Sequence, residues 1–108
     1  MKEFINDEDV AFFRANGYLK VAGVLAADEL KKLQEETQKA VDYGAAKVRI
    51  DPGYRYGTSA TESRKILTRI EYVTNWSMAG RMLMGHPGLL RIVDKISGRD
   101  FISIGDGM

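Results

Sequence analysis

The sequence predicts an α+β fold, mostly helical, with a few short strands. Three observations carry this. Apolar residues recur at helical spacing behind recognisable start signals, most clearly after Pro87. Short β-type runs stand between the helices: Tyr18–Val21, Lys65–Val73 and Phe101–Ile104. Glycines at 17, 44, 85 and 98 fall where each helical pattern stops.

Taken in order, Asn6 is an N-cap, and Asp7, Glu8 and Asp9 place negative charge in the first turn, where the helix dipole favours it. Val10, Phe12 and Phe13 give this helix its apolar side, and Asn16-Gly17 ends it. Tyr18-Leu19-Lys20-Val21 reads as a strand that closes at Gly23. A second helix is expected from about Ala27 to Tyr43, with Leu30, Leu33, Thr37, Ala40 and Val41 as its buried stripe. Its other face, Glu29, Lys31, Lys32, Glu35, Glu36 and Lys39, is a solvated charge run. Gly44 is its expected end.

Residues 45–63 show no period and read as a long mobile loop with a turn at Asp51-Pro52-Gly53. Tyr54, Arg55 and Tyr56 are the candidate substrate-binding residues, because two aromatic rings around a guanidinium can grip a planar or anionic ligand. The other reading of the same triplet is a loop that packs its aromatics on the body. From Lys65 to Val73 a strand is expected, with Ile66, Thr68, Ile70 and Tyr72 on its apolar face. Ser77 caps a short helix, Met78–Met84, and Met78, Met82, Met84 and Trp76 read as plastic core filling. His86-Pro87 then opens the last helix, with His86 as the capping residue. Leu89, Leu90, Val93 and Ile96 form its apolar face, Arg91, Asp94 and Lys95 its polar one, and Gly98 its stop.

At 108 residues the chain is a single domain or a fragment of one. Its balance is ordinary for a globular protein: 44% hydrophobic, 29% charged, net charge +1. That charge gives no footprint for nucleic acid, and no apolar run reaches the roughly 20 residues of a membrane span, so neither partner is expected. The chain has no cysteine, which excludes disulfides and thiolate metal sites and fits a cytoplasmic location. There is no GxGxxG, Walker loop or GxSxG pattern, and the paired acids lie on helix surfaces.

The phrases NGYLKVAGVL and GHPGLLRIVDKISGRDF, with RIEY between them, resemble the N-terminal part of phytanoyl-CoA dioxygenase-like proteins. These are non-haem Fe(II), 2-oxoglutarate-dependent oxygenases. The similarity covers the chain except about residues 48–63. It implies the helical lead-in and first strands of a double-stranded β-helix (jelly roll), incomplete in this chain, within a parent dioxygenase that oxidises a small-molecule substrate. The family holds iron with a His-x-Asp and a distant second His. Here the one histidine, His86, is followed by Pro87-Gly88 and sits where the family has its helix-start His-Pro. The resemblance places the iron motif beyond Met108. No catalytic, cofactor-binding or metal-ligating residue is therefore assigned, Fe(II) and 2-oxoglutarate are implied for the full-length family only, and the chain alone is expected to be inactive. Asp106 falls where the family's barrel interior begins, although a turn residue is the plainer reading. The alternative is a small stand-alone α+β module that binds a partner and catalyses nothing. Three strands cannot close a barrel, so an open edge is expected to drive homo-oligomerisation.

Overall fold

A computed structural model describes residues 3–61, 63–102 and 105–108. The elements run α1 (Asp7–Asn16), α2 (Ala27–Ala46), β1 (Tyr54–Thr58), β2 (Lys65–Ile70), α3 (Val73–Trp76), α4 (Met78–Met84) and α5 (Pro87–Ser97). The fold is α+β as expected. Its sheet, among the described residues, is a single antiparallel hairpin of β1 and β2. No helix among them is long and apolar enough to cross a membrane.

Local chemistry explains most of the boundaries. The Asn6 side chain accepts from the Asp9 N–H at 2.9 Å, and the Asp9 carboxylate accepts from the Asn6 N–H at 2.8 Å, a reciprocal box that starts α1. Gly17 ends it at φ +80°. At α2 half of that device exists: Ala26 has no side-chain acceptor, but the Glu29 carboxylate accepts from the Ala26 N–H at 2.8 Å. Ser77 Oγ accepts from the Gly80 N–H at 2.8 Å and starts α4. His86 Nδ1 accepts from the Gly88 N–H at 3.1 Å, with Pro87 at the first helical position, and starts α5.

Two groups of elements result. In one, α1 packs on α5; in the other, α2 carries the hairpin on one side and α4 on another. Ile5 and Val10 are buried in the first group, Ala40, Ile70 and Ser77 in the second. Full burial of a residue such as Ile70, 2% exposed, stabilises by about 1.5–3 kcal/mol.

Several expectations are corrected. The segment Tyr18–Val21 is not a strand: among the described residues none pairs with it to make a ladder. Tyr18 instead sets its ring edge-on to Phe12, centroids 5.4 Å apart. Residues 45–63 are not loop throughout: Tyr54–Thr58 pairs with Lys65–Ile70. The expected strand from Lys65 ends at Ile70 rather than Val73, since Tyr72 turns the chain at φ +60° into α3. A bulge opposite the Arg55–Tyr56 step breaks the alternation. Ile66 and Tyr72 are therefore exposed, while Leu67 joins Ile70 on the side facing α2. Of the expected strand Phe101–Ile104, residues 101–102 are irregular and residues 103–104 lie outside the described residues.

Gly44 does not end α2, which runs on to Ala46. Its role is close approach: a Cβ there would lie 2.7 Å from Tyr54 Cε1 and 2.9 Å from Leu67 Cδ2. The half-buried positions of α2 are Leu33, Glu36 and Thr37, with Ala40 and Gly44 buried, whereas Leu30 and Val41 are exposed. On α5 the half-buried apolar positions are Leu89, Ile92 and Ile96; Leu90 and Val93 are 39% and 36% exposed. This helix is apolar on two sides, and α1 covers one. Met78, Met82, Met84 and Trp76 are likewise exposed rather than core.

Candidate functional site

Tyr54, Arg55 and Tyr56 lie on β1, and each is held by the body of the protein. The Tyr54 ring fits against Gly44 and meets Tyr43 edge-on, centroids 5.6 Å apart. Burial, then the nearby Tyr43 and Asp51, push the Tyr54 phenol up from its ordinary value. The Tyr56 hydroxyl donates to the Gly44 carbonyl at 2.8 Å and accepts from the Arg49 N–H at 3.1 Å. Arg55 pairs with Glu71 at 3.1 Å, and Arg69 approaches the same carboxylate at 3.5 Å. Arg49 in turn lies 3.7 Å over the Tyr43 ring. The hairpin thus locks onto the end of α2 through its own aromatic and charged groups.

The larger concavity lies elsewhere, between α2 and α4, with a volume of about 570 Å³. Its apolar lining comes from Leu25, Leu33, Met82, Leu83 and Pro87, and its polar lining from Glu29, Lys32, Glu36, Arg81 and His86. The volume is within the range of small-molecule sites, and the composition has their usual bias to apolar walls with a few polar groups. The polar groups are mostly committed to structure. Glu36 accepts from the Ser77 hydroxyl and from the Ala79 N–H at 3.0 Å. The Ser77 hydroxyl, helped by the Ala79 N–H, holds its carboxyl below the usual carboxylate range. Arg81 donates to the carbonyls of Thr74 and Asn75, in the latter case at 2.8 Å.

His86 joins α5 to α2. Because Nδ1 accepts from Gly88, the ring proton of the neutral imidazole sits on Nε2, which faces the Glu29 carboxylate at 3.1 and 3.2 Å. The Ala26 N–H and then His86 hold the Glu29 carboxyl below its ordinary value. Both ring nitrogens are therefore occupied in the apposition of the two helix starts. One imidazole and one carboxylate do not make an iron triad, and among the described residues no three His, Asp or Glu side chains gather to hold a metal. Asp106, the remaining candidate, accepts from the Thr74 N–H at 2.7 Å and caps α3. It stands outside any helix, strand or turn and serves a helix start.

Glu36 is the polar residue that sequence reasoning placed wrongly, with the solvated acids. A signal was present. Leu33, Glu36, Ala40 and Gly44 follow one another at spacings of three and four, which puts the acid in the buried stripe, and Ser77 downstream is the donor that such an acid needs. Glu29 is exposed, as expected of a surface acid, and its further role as a clamp on His86 depends on a contact 57 residues away in the chain.

No family model matches the chain, and no curated protein matches it.

Proposed function

We propose that this chain is the N-terminal, non-catalytic part of a phytanoyl-CoA dioxygenase-like protein, an Fe(II)/2-oxoglutarate-dependent oxygenase acting on a small molecule. It would supply the helical buttress and first strands to a jelly-roll body. The order and spacing of NGYLKVAGVL, RIEY and GHPGLLRIVDKISGRDF support this.

The structural observation that carries the proposal is uncovered surface. The radius of gyration is 17.2 Å, against roughly 13 Å for a compact domain of this length. The accessible surface is 8163 Å², against about 6,000 Å² for a compact protein of this mass. The apolar sides of α4 and α5 contribute to that difference. A buttress whose second face is meant for another body has these properties. The difference, about 2,000 Å², also exceeds the roughly 800 Å² per partner of a standard interface, so the isolated chain is proposed to homo-oligomerise through the exposed helix faces. Among the described residues no set of side chains fits iron. The groove between α2 and α4 favours a second reading, a stand-alone binding module.

The coding sequence after codon 108 decides between the two. Continuation to a His-x-Asp motif is the expected result; a natural stop codon there would overturn the oxygenase proposal. Anaerobic Fe(II) and 2-oxoglutarate should give no charge-transfer band with the isolated chain. A stoichiometric band abolished by His86→Ala would refute the structural role of His86.

A further inference from the structure

His86 is a junction of the chain as well as a cap. Gly85 and His86 alone separate α4 from α5, and so join the group built on α2 to the pair of α1 and α5. The His86 side chain is 14% exposed. Its Nδ1 accepts from the Gly88 N–H at 3.1 Å. Its Nε2 faces the Glu29 carboxylate, which also accepts from the Ala26 N–H at 2.8 Å. One imidazole thus ties together the starts of α2 and α5.

The two ring nitrogens have opposite duties. Nδ1 accepts and Nε2 donates, and only the neutral ring protonated at Nε2 does both. An imidazolium donates from both nitrogens. It keeps Glu29, now as an ion pair, and it loses Gly88, whose N–H would face another N–H. Turning the ring over does not help, since the charged ring has no acceptor to offer. Gly88 is buried, and a Cβ on it would lie 2.9 Å from Phe4 Cε2 and 3.1 Å from His86 Cε1. Its N–H, among the first of the helix, has no partner within the helix to turn to. The charged groups around the ring do not share its titration. Glu29, Lys32 and Glu36 of α2 and Arg81 of α4 line the same groove. The Ala26 N–H holds Glu29, and the Ser77 hydroxyl Glu36, below the ordinary carboxylate range. On α5, Arg91 pairs with Glu3, and Lys95 with Asp7 at 3.8 Å. His86 is the one histidine in the sequence, and imidazole is the side chain that ordinarily changes charge between about pH 5 and 8.

We propose that His86 is a protonation-sensitive latch: the neutral ring caps α5 and clamps α2, and the charged ring keeps the clamp while releasing the cap. Acidification through the titration of the imidazole frees the first turn of α5, and with it the seat of Phe4 on Gly88. The pair of α1 and α5 then gains freedom relative to α2. The latch uses internal contacts only and stands apart from the oxygenase reading.

Nuclear magnetic resonance of the nitrogen-15-labelled chain, titrated from about pH 8 to about pH 5, tests it. Long-range proton–nitrogen spectra at the upper end should show the Nε2–H tautomer. As His86 charges, the Gly88 amide should shift along the same titration curve. The protection factors of Gly88 and Leu90, corrected for intrinsic exchange at each pH, should fall roughly fivefold to tenfold. Glu29→Gln should keep this response, because the cap lies at Nδ1. His86→Asn, a cap that does not titrate, should abolish it and stay protected throughout. Circular dichroism checks that this variant folds, and the wild-type titration decides the matter without it. An Nδ1–H tautomer, a ring that stays neutral to about pH 5, or Gly88 protection indifferent to the charge on His86 overturns the latch. So does an equal loss of protection in folded His86→Asn.

Discussion

Gly44→Ala should destabilise the protein, although the same change in an exposed helix stabilises it. The helical gain is about 1 kcal/mol. Against it stands the space: the new methyl would lie 2.7 and 2.8 Å from two ring carbons of Tyr54 and 2.9 Å from Leu67 Cδ2. Ordinary carbon contacts are about 3.5–4.0 Å. Leu67 can rotate its methyl away. Tyr54 cannot easily yield, because its backbone is fixed opposite Ile70 and its ring abuts Tyr43. Overpacking of this kind costs about 1–3 kcal/mol, and the rigid neighbour puts it towards the top of that range. The net loss should be about 1–2 kcal/mol, or roughly 1 M off the urea midpoint at the slope of a small domain. Urea titration followed by far-ultraviolet circular dichroism measures it. In a Tyr54→Ala background the sign should reverse, with Gly44→Ala stabilising by about 1 kcal/mol. Stabilisation in both backgrounds would show that Tyr54 does not lie against α2.

On α5, Ile92→Ala should cost more than Leu90→Ala in dilute chain, towards the about 2–5 kcal/mol range of buried truncations for the former; Lys32→Ala should stay within about ±0.5 kcal/mol. Denaturant midpoints in the opposite order would mean that Leu90 is covered. Glu3, Glu29 and Glu36 all have folded values below the ordinary 4.5, through Arg91, the Ala26 N–H and Ser77 respectively. Unfolding therefore takes up protons there, so this stabilisation is complete above pH 4.5 and is lost as pH falls through the folded values. Glu36→Gln should flatten the acid limb of a stability profile, and stability that rises on acidification would contradict the sign. Light scattering at micromolar concentration should show a dimer or larger species, returned to monomer by Leu90→Glu with Met82→Glu; a monodisperse 12.1 kDa wild-type chain would refute the association.

What could be read in advance was whatever short-range chemistry decides. Asn6, Ser77 and His86 announce helix starts within three residues of their partners, and α1, α4 and α5 begin where those caps predict. Gly44 misled because a glycine signals either an αL stop or a close approach, and only the position of Tyr54 distinguishes them. β1 was missed because Tyr-Arg-Tyr-Gly lacks aliphatic alternation, and its order comes from pairing with β2. Tyr18–Val21 has the composition of a strand, and among the described residues none pairs with it to make it one. On α5, Leu90 and Val93 looked like core because periodicity reports apolarity and not which side α1 occupies. The groove was partly legible: its lining residues were noticed singly, but their convergence depends on how α2 crosses α4.

The pairing of α1 with α5 joins two helices far apart in the sequence. Phe4 lies against Gly88, Glu3 pairs with Arg91, and Asp7 with Lys95 at 3.8 Å. As the polypeptide leaves a ribosome, α1 is made well before its partner α5. Ile5 and Val10, both buried in the finished protein, stay wet until α5 emerges. Contacts of such long sequence separation form slowly, because loop closure must be met before they contribute. The hairpin and α2 are neighbours in sequence and can settle early. Docking of α1 on α5 is then a late event in folding, and the few apolar side chains of α1 stay exposed to chaperones until it happens.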